Sequence, residues 1–272
     1  MTDILTLVFR AFMSQTSVKK EASPQGAYSA LVVGDREISR SVLLLAAVTA
    51  ASEMGIKVVF FTQSQIQSLP VSLQRCVPSL SPESLKKIRF SYPRTLEELL
   101  LQVASLHESP HISPTPPSLI IVDRLESFLR GSRAGSDSGL HPGEQSSTAH
   151  ISALLSDTTA FLSHVLEQRG SSSGPCRLIA SYLSEEDAPP GGGNAYASDP
   201  ILDVLDRYFQ VRCTLDQDRG YEAAAAGVQE VWHIYLSGRG ITEAGEGEDG
   251  MGVVQEWQLF VSPDGLMEFQ LV

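Results

Sequence analysis

The chain has 272 residues, 42% of them hydrophobic, and this length is sufficient for one large buried core. Its formal net charge of −12 repels nucleic acid at long range, so any DNA contact has to be local or made through a partner. It has no apolar run of roughly eighteen residues and no basic leader with a cleavage site, and its three cysteines lie outside any CxxC pattern. We therefore expect an intracellular protein that neither spans a membrane nor carries structural disulfides or zinc.

The first predicted element is a short amphipathic helix in the apolar opening of the chain, formed by Ile4, Leu5, Leu7, Val8, Phe9, Phe12 and Met13. A polar stretch follows it as far as Gly26. On this basis we divide the chain into an N-terminal segment and linker, residues 1–26, and one main domain, residues 27–272.

The main domain opens with a strand at 28–33, which ends at Gly34, and a buried helix at 40–54. The same alternation continues along the chain. Further strands are predicted at 57–62, 87–92, 119–122, 178–183 and 208–215, and helices at 95–107, 149–168 and 200–207. From about residue 228 the pattern changes to strands joined by turns, at 231–236, 257–261 and 266–271. The sequence therefore predicts an α/β fold with a mainly parallel sheet flanked by helices and a C-terminal antiparallel meander.

Between the first strand and the first helix lies Gly34-Asp35-Arg36-Glu37-Ile38-Ser39-Arg40-Ser41, in the register of GxxxxGK[ST]. In an intact loop of this kind, backbone N–H groups hold the phosphates, the lysine reaches the terminal phosphates and the last hydroxyl ligates magnesium. Here Ser39 replaces the second glycine and Arg40 the lysine, while Asp35 and Glu37 add negative charge. These eight residues are a candidate site for ATP and Mg²⁺. A tight turn that holds no ligand is the alternative.

Asp123 follows the apolar strand at 119–122 and is the candidate Walker B carboxylate. In that role it would hold magnesium together with Ser41. A buried strand that ends in aspartate is also common at turns and helix N-caps, so a purely structural role is the alternative.

The order of elements from residue 28 to about 215 resembles the ATPase core of RecA-like recombinases. Six stretches are similar, more specifically, to the SWIM-zinc-finger-associated recombinase paralogue: 85–93 (LKKIRFSYP), 97–100 (EELL), 106–108 (LHE), 118–123 (SLIIVD), 207–209 (RYF) and 262–265 (SPDG). This resemblance implies a nuclear protein that pairs with a SWIM-type zinc-finger protein in a Shu-like complex. It also implies binding of single-stranded DNA, directly or through the complex, and support of the recombinase and its paralogues in homologous recombination. Members of the family are described as ATPases stimulated by single-stranded DNA.

The sequence departs from this family at two places that matter for hydrolysis. Related recombinases carry a catalytic glutamate in a Thr-Glu pair after the second strand, and the corresponding residues here are Thr62 and Gln63. An amide cannot accept a proton from water as a carboxylate does. In recombinases, polar residues at the end of the fifth strand sense the γ-phosphate. The corresponding positions here lie near Leu183 and Ser184. We expect weak or absent ATP hydrolysis, and an active ATPase in which Arg40 serves as the lysine is the alternative.

The resemblance also places DNA-contacting loops at 130–143 and 185–199. Arg130 and Arg133, in the first loop, are the candidate DNA-binding residues, with a merely solvated loop as the alternative. The densest basic cluster, formed by Lys86, Lys87, Arg89 and Arg94, is better interpreted as protection of an exposed strand edge.

The segment with Phe9 and Phe12 has the position of the arm by which recombinases dock onto a neighbour. It lacks the aromatic-x-x-Ala sequence of that arm, and a disordered leader is the alternative.

Overall fold

The computed structural model describes residues 4–13, 29–66, 81–108, 116–129, 142–170, 174–184, 199–218, 230–238 and 255–272. Within these ranges the strands are β1 Ser29–Val33, β2 Val58–Phe61, β3 Ile88–Ser91, β4 Leu119–Val122, β5 Arg177–Tyr182, β6 Val211–Asp218, β7 Glu230–Gly238, β8 Gln255–Val261 and β9 Met267–Leu271. The α-helices are α1 Ile4–Ala11, α2 Arg36–Ser52, α3 Pro82–Leu85, α4 Leu96–Ala104, α5 Leu125–Leu129, α6 Pro142–Gln168 and α7 Pro200–Tyr208. A 3₁₀ turn, Ser105–His107, extends α4.

The strands form one sheet in the order β3-β2-β4-β5-β1-β6-β7-β8-β9. Strands β1 to β6 pair in parallel, and β6 to β9 pair antiparallel. Strand β4 is a continuous apolar run and every residue of β5 is buried, because helices cover both faces of the parallel part. Strands β6 and β8 instead alternate buried and partly exposed residues. The predicted α/β fold with a C-terminal meander is confirmed.

Helices pack on the two faces of the sheet and create two apolar clusters. One face carries α1 and α2, and the buried side chains of α2 occupy nearly its whole circumference. The other face carries α4, α5, α6 and α7 over the parallel strands. Trp232 and Trp257, which lie in β7 and β8, are both buried.

Helix α1 belongs to the core of the same sheet, although the sequence analysis grouped it with a linker. Phe9 is fully buried, with its ring 4.7 Å from that of Phe269 and 5.5 Å from that of Trp257. The amide of Phe269 donates to the carbonyl of Phe12 at 3.2 Å, and Met13 forms a bridge to the same strand. The predicted helix is confirmed, and the disordered-leader alternative does not hold for residues 4–13.

Three details of the helices differ from the sequence-based expectations. Helix α6 begins at Pro142, seven residues before the predicted start. Helix α2 begins at Arg36, four residues before the predicted start, because the side chain of Asp35 caps it. The short helices α3 and α5 were not predicted, since four or five residues are too few to display a period. Strand β3 lies at the sheet edge and its own residue Arg89 is exposed, which fits edge protection. Among the residues described, no helix is long and apolar enough to cross a membrane.

Candidate functional site

The carboxyl ends of the parallel strands bring the two sequence motifs together at one edge of the sheet. Gly34 follows β1, Thr62 follows β2 and Asp123 follows β4, and such an edge is where ligands bind in open α/β sheets. We refer to Asp35, Arg40, Thr62, Asp123 and Ser181 as the corner. The segment 34–41 connects a central parallel strand to a packed helix, and Asp123 lies in contact with it, as the sequence predicted.

Asp123 is the centre of the corner and is fully buried. Its Oδ2 atom accepts hydrogen bonds from Nε of Arg40 at 3.1 Å and from Oγ1 of Thr62 at 2.9 Å, and Nη2 of Arg40 lies 3.0 Å away. Its Oδ1 atom accepts from Oγ of Ser181 at 3.5 Å. A buried carboxylate is costly unless it is paired and hydrogen-bonded, and Asp123 has both a guanidinium partner and hydroxyl donors.

Arg124, which the sequence analysis did not identify, contacts residues of β5 and residues that follow β2 and β4. It adopts a left-handed conformation with φ of 59°, rare for a residue other than glycine. Its amide donates to Oγ of Ser181 at 2.9 Å and its Nη2 to Oγ of Ser64 at 2.7 Å, while its Nε lies 3.9 Å from Oδ2 of Asp123. Two guanidinium groups, those of Arg40 and Arg124, therefore lie beside the carboxylate of Asp123.

The turn between β1 and α2 is short and closed by its own side chain. Oδ1 of Asp35 accepts from the amides of Glu37 at 2.8 Å and Ile38 at 3.0 Å, and the carbonyl of Asp35 accepts from the amide of Ser39 at 3.0 Å. Helix N-termini bind anions through such unpaired amides. Here the carboxylate of Asp35 already accepts from two of them, the amides of Glu37 and Ile38, so a phosphate would have to compete with it.

The corner as folded does not fit a triphosphate with its magnesium ion. The amides that would hold phosphate are bonded to Asp35, and the carboxylate that would hold the ion is bonded to Arg40 and Thr62. In the part of the chain that the structure describes, no group of three or more His, Cys, Asp or Glu side chains is placed to hold a metal ion. Ser41 is half-buried on α2, and nucleotide or metal binding at residues 34–41 and Asp123 stays a prediction.

Gln63 links the loop after β3 to helix α5. Its Nε2 donates to the carbonyl of Arg94 at 3.0 Å and to the carbonyl of Ser127 at 3.2 Å. A carboxylate in the same place would face two oxygen atoms that only accept hydrogen bonds. The local structure therefore suits an amide rather than a glutamate at this position.

The end of β5 is bonded to neighbouring elements. The amide of Leu183 donates to Oε2 of Glu126 at 3.2 Å. Oγ of Ser184 and the hydroxyl of Tyr182 donate to Oδ2 of Asp199, whose other carboxylate oxygen caps α7. The segment compared with a γ-phosphate sensor is thus anchored to Asp199 and Glu126.

Glu126 is a second buried carboxyl beside the corner, and sequence reasoning missed it. Burial raises the pKa of its carboxyl, chiefly because desolvation penalises the charged form, while amide donors and the charge of Arg124 act in the opposite direction. Oε1 has no hydrogen-bond partner among the residues described. The sequence carried no signal for its burial, because the five residues of α5 are too few to display a helical period.

We expect Glu126→Gln to gain stability relative to the native protein as the pH rises. A carboxyl whose pKa is raised by folding stabilises fully below its unfolded value, near 4.5, and that contribution is lost as the pH rises through the folded value. Glutamine does not ionise, so the difference between the two urea unfolding curves should grow from pH about 4 upward.

The control for this experiment is Glu97→Gln, because the backbone hydrogen bond of Glu97 and then Thr95 lower the pKa of that exposed carboxyl. Its stability contribution is present above the unfolded pKa and lost as the pH falls, so its difference should have the opposite sign. A pH-independent difference for Glu126→Gln would contradict the prediction.

The structure brings together only part of the predicted site. Arg40 meets Asp123 directly, while Arg36 and Glu37 are exposed on the first turn of α2. The candidate DNA-binding residues Arg130 and Arg133 lie outside the described residues, so that prediction is untested.

The six parallel strands, their flanking helices and the meander define the class of protein: an α/β protein with a RecA-like core. No protein-family model matches the chain. It is 35% identical to a protein named ATPase SWSAP1 from Mus musculus over 189 residues. This aligned region makes up 69% of this chain and 58% of that protein. The chain is 34% identical to the protein of the same name from Homo sapiens over 181 residues. This aligned region makes up 65% of this chain and 66% of that protein.

The chain thus matches less than two thirds of the length of both relatives. The two similarities support the relationship with SWIM-zinc-finger-associated recombinase paralogues that the sequence indicated.

Proposed function

We propose that this protein is an accessory factor in homologous recombination. In this role it acts in the nucleus with a SWIM-type zinc-finger partner, binds single-stranded DNA directly or through that complex, and supports filaments of the recombinase and its paralogues. ATP hydrolysis is weak or absent, and the RecA-like core serves as a platform for protein contacts.

The similarity to two proteins named ATPase SWSAP1 is the observation that carries the recombination role. It extends over about two thirds of this chain, so it includes most of the RecA-like core rather than one short motif. The net charge of −12 favours contact with DNA through a partner over a broad electrostatic surface.

The bonding of the corner supports weak hydrolysis. Asp123 is paired with Arg40, and Gln63, at the position of the catalytic glutamate, donates to two carbonyl groups. Neither residue is disposed to activate water or to hold a metal ion.

Co-expression with the SWIM-type zinc-finger protein tests the complex. We expect soluble yield and retention on single-stranded DNA to rise together, because the partner covers surface of this chain and supplies positive charge. The control is the same partner without its zinc-binding segment. Equal yield and equal DNA retention in both cultures would contradict the proposed role.

A hydrolysis assay separates the accessory factor from the active ATPase. With single-stranded DNA and partner present, we expect phosphate release no faster than the background of an Asp123→Asn variant purified in the same way. A DNA-stimulated rate clearly above that background would favour the alternative, in which Arg40 serves as the lysine.

A further inference from the structure

We propose that Arg40 takes the place of the metal ion at Asp123 and that Asp35 takes the place of the phosphate at the start of α2. The corner is then complete without nucleotide, and Asp123 becomes a divalent-cation site only when the guanidinium of Arg40 is removed. This inference rests on the proposed function, in which no turnover is required, and gives a physical reason for it.

The contacts of Asp123 carry the first half of the inference. Three donor atoms, Nε and Nη2 of Arg40 and Oγ1 of Thr62, converge on one carboxylate oxygen at 2.9 to 3.1 Å. Magnesium requires oxygen ligands at about 2.0–2.1 Å in near-octahedral geometry, so an ion bound directly to that oxygen would have to displace the guanidinium. The guanidinium of Arg40, at 3.0 Å, supplies most of the positive charge that the buried carboxylate needs, and that of Arg124 lies farther away at 3.9 Å.

Arg40 is suited to this role and a lysine is not. A guanidinium presents several N–H donors in a fixed plane, so one side chain can contact the carboxylate through two nitrogens and also reach Oγ1 of Thr62, at 3.4 Å from Nη2. The side chain is 22% exposed, which leaves its outer part in water while its inner part neutralises Asp123. Lysine would carry the charge on a single flexible atom.

The turn at Asp35 carries the second half. Its carboxylate accepts from the amides of Glu37 and Ile38, as a bound phosphate oxygen would. An incoming phosphate would have to displace this cap and then lie beside the exposed carboxylate of Glu37. Arg40 thus supplies the positive charge that a magnesium ion would bring, and Asp35 supplies the negative charge that a phosphate would bring.

The test is a Mn²⁺ titration of the full chain, followed by electron paramagnetic resonance of the free ion. The variants are Arg40→Gln, which keeps a hydrogen-bond donor without the charge, and Arg40→Gln combined with Asp123→Asn. We expect no Asp123-dependent binding of Mn²⁺ by the native protein. The Mn²⁺ affinity of Arg40→Gln should exceed any residual affinity of the native protein by about 10-fold or more. The double variant should lose that gain.

A second measurement keeps the inference testable if the Arg40→Gln variant folds poorly. Because a ligand that binds the folded state stabilises it, Mn²⁺ should raise the melting temperature or the folded yield of Arg40→Gln and leave the native protein unchanged. The inference is overturned if the native protein binds Mn²⁺ in an Asp123-dependent way, or if Arg40→Gln gains neither affinity nor stability. Neither result affects the co-expression test, so failure of the inference and failure of the proposed function are distinguishable.

Discussion

Phe9→Ala should lower the free energy of unfolding by about 4 kcal/mol, as expected for removal of a fully buried aromatic ring. The ring stacks on Phe269 and lies against Trp257, so its loss leaves a cavity between α1 and the meander. Surrounding strands are held by their ladder hydrogen bonds and cannot collapse into that space. Urea unfolding followed by circular dichroism measures the change.

Phe12→Ala is the matched control, because Phe12 is only partly buried and meets β9 through its backbone carbonyl, which the substitution keeps. We expect a loss of about 1 kcal/mol or less in that variant. Equal stability of the native protein and Phe9→Ala would mean that α1 is not packed in solution. The segment would then regain its interpretation as a docking arm.

The fold could be predicted because its signals are local and agree with one another. Buried parallel strands appear as short apolar runs, and the meander appears as alternation with a turn at Pro263, Asp264 and Gly265. The place of α1 could not be predicted in this way. Its apolar face is compatible with a partner or with the chain's own sheet, and only the tertiary contact of Phe9 with Phe269 decides between them.

The sequence predicted which motifs meet at the site, but it did not predict the conformation of the turn between β1 and α2. The motif spacing correctly brought Arg40 and Asp123 into one corner, since strand ends of a parallel sheet meet at the same edge. It did not show that Asp35 would start the helix at once, although aspartate ahead of an apolar helix is an N-cap signal. Arg124 gave no signal, because a left-handed arginine follows from the hydroxyl groups around it, and those come from other strands.

The last prediction concerns Gly34, which has two possible physical explanations. In a phosphate-binding loop this glycine lets the backbone approach a nucleotide. In this structure it lets β1 turn beside β6: its φ is +140°, and an added Cβ would lie 2.6 Å from the carbonyl oxygen and 2.8 Å from Cβ of Leu215. The close approach is to backbone, which cannot move aside as the end of a flexible side chain could.

We therefore expect Gly34→Ala to lose about 3 kcal/mol of stability, from backbone strain and overpacking together. The loss should be the same with and without ATP and Mg²⁺, since its cause lies between two strands of the chain. Gly143→Ala is the control, because an added Cβ there meets nothing within 4 Å and alanine favours the helix by up to about 1 kcal/mol. Native stability of Gly34→Ala without nucleotide, combined with lost stabilisation by nucleotide, would instead assign this glycine to a phosphate site.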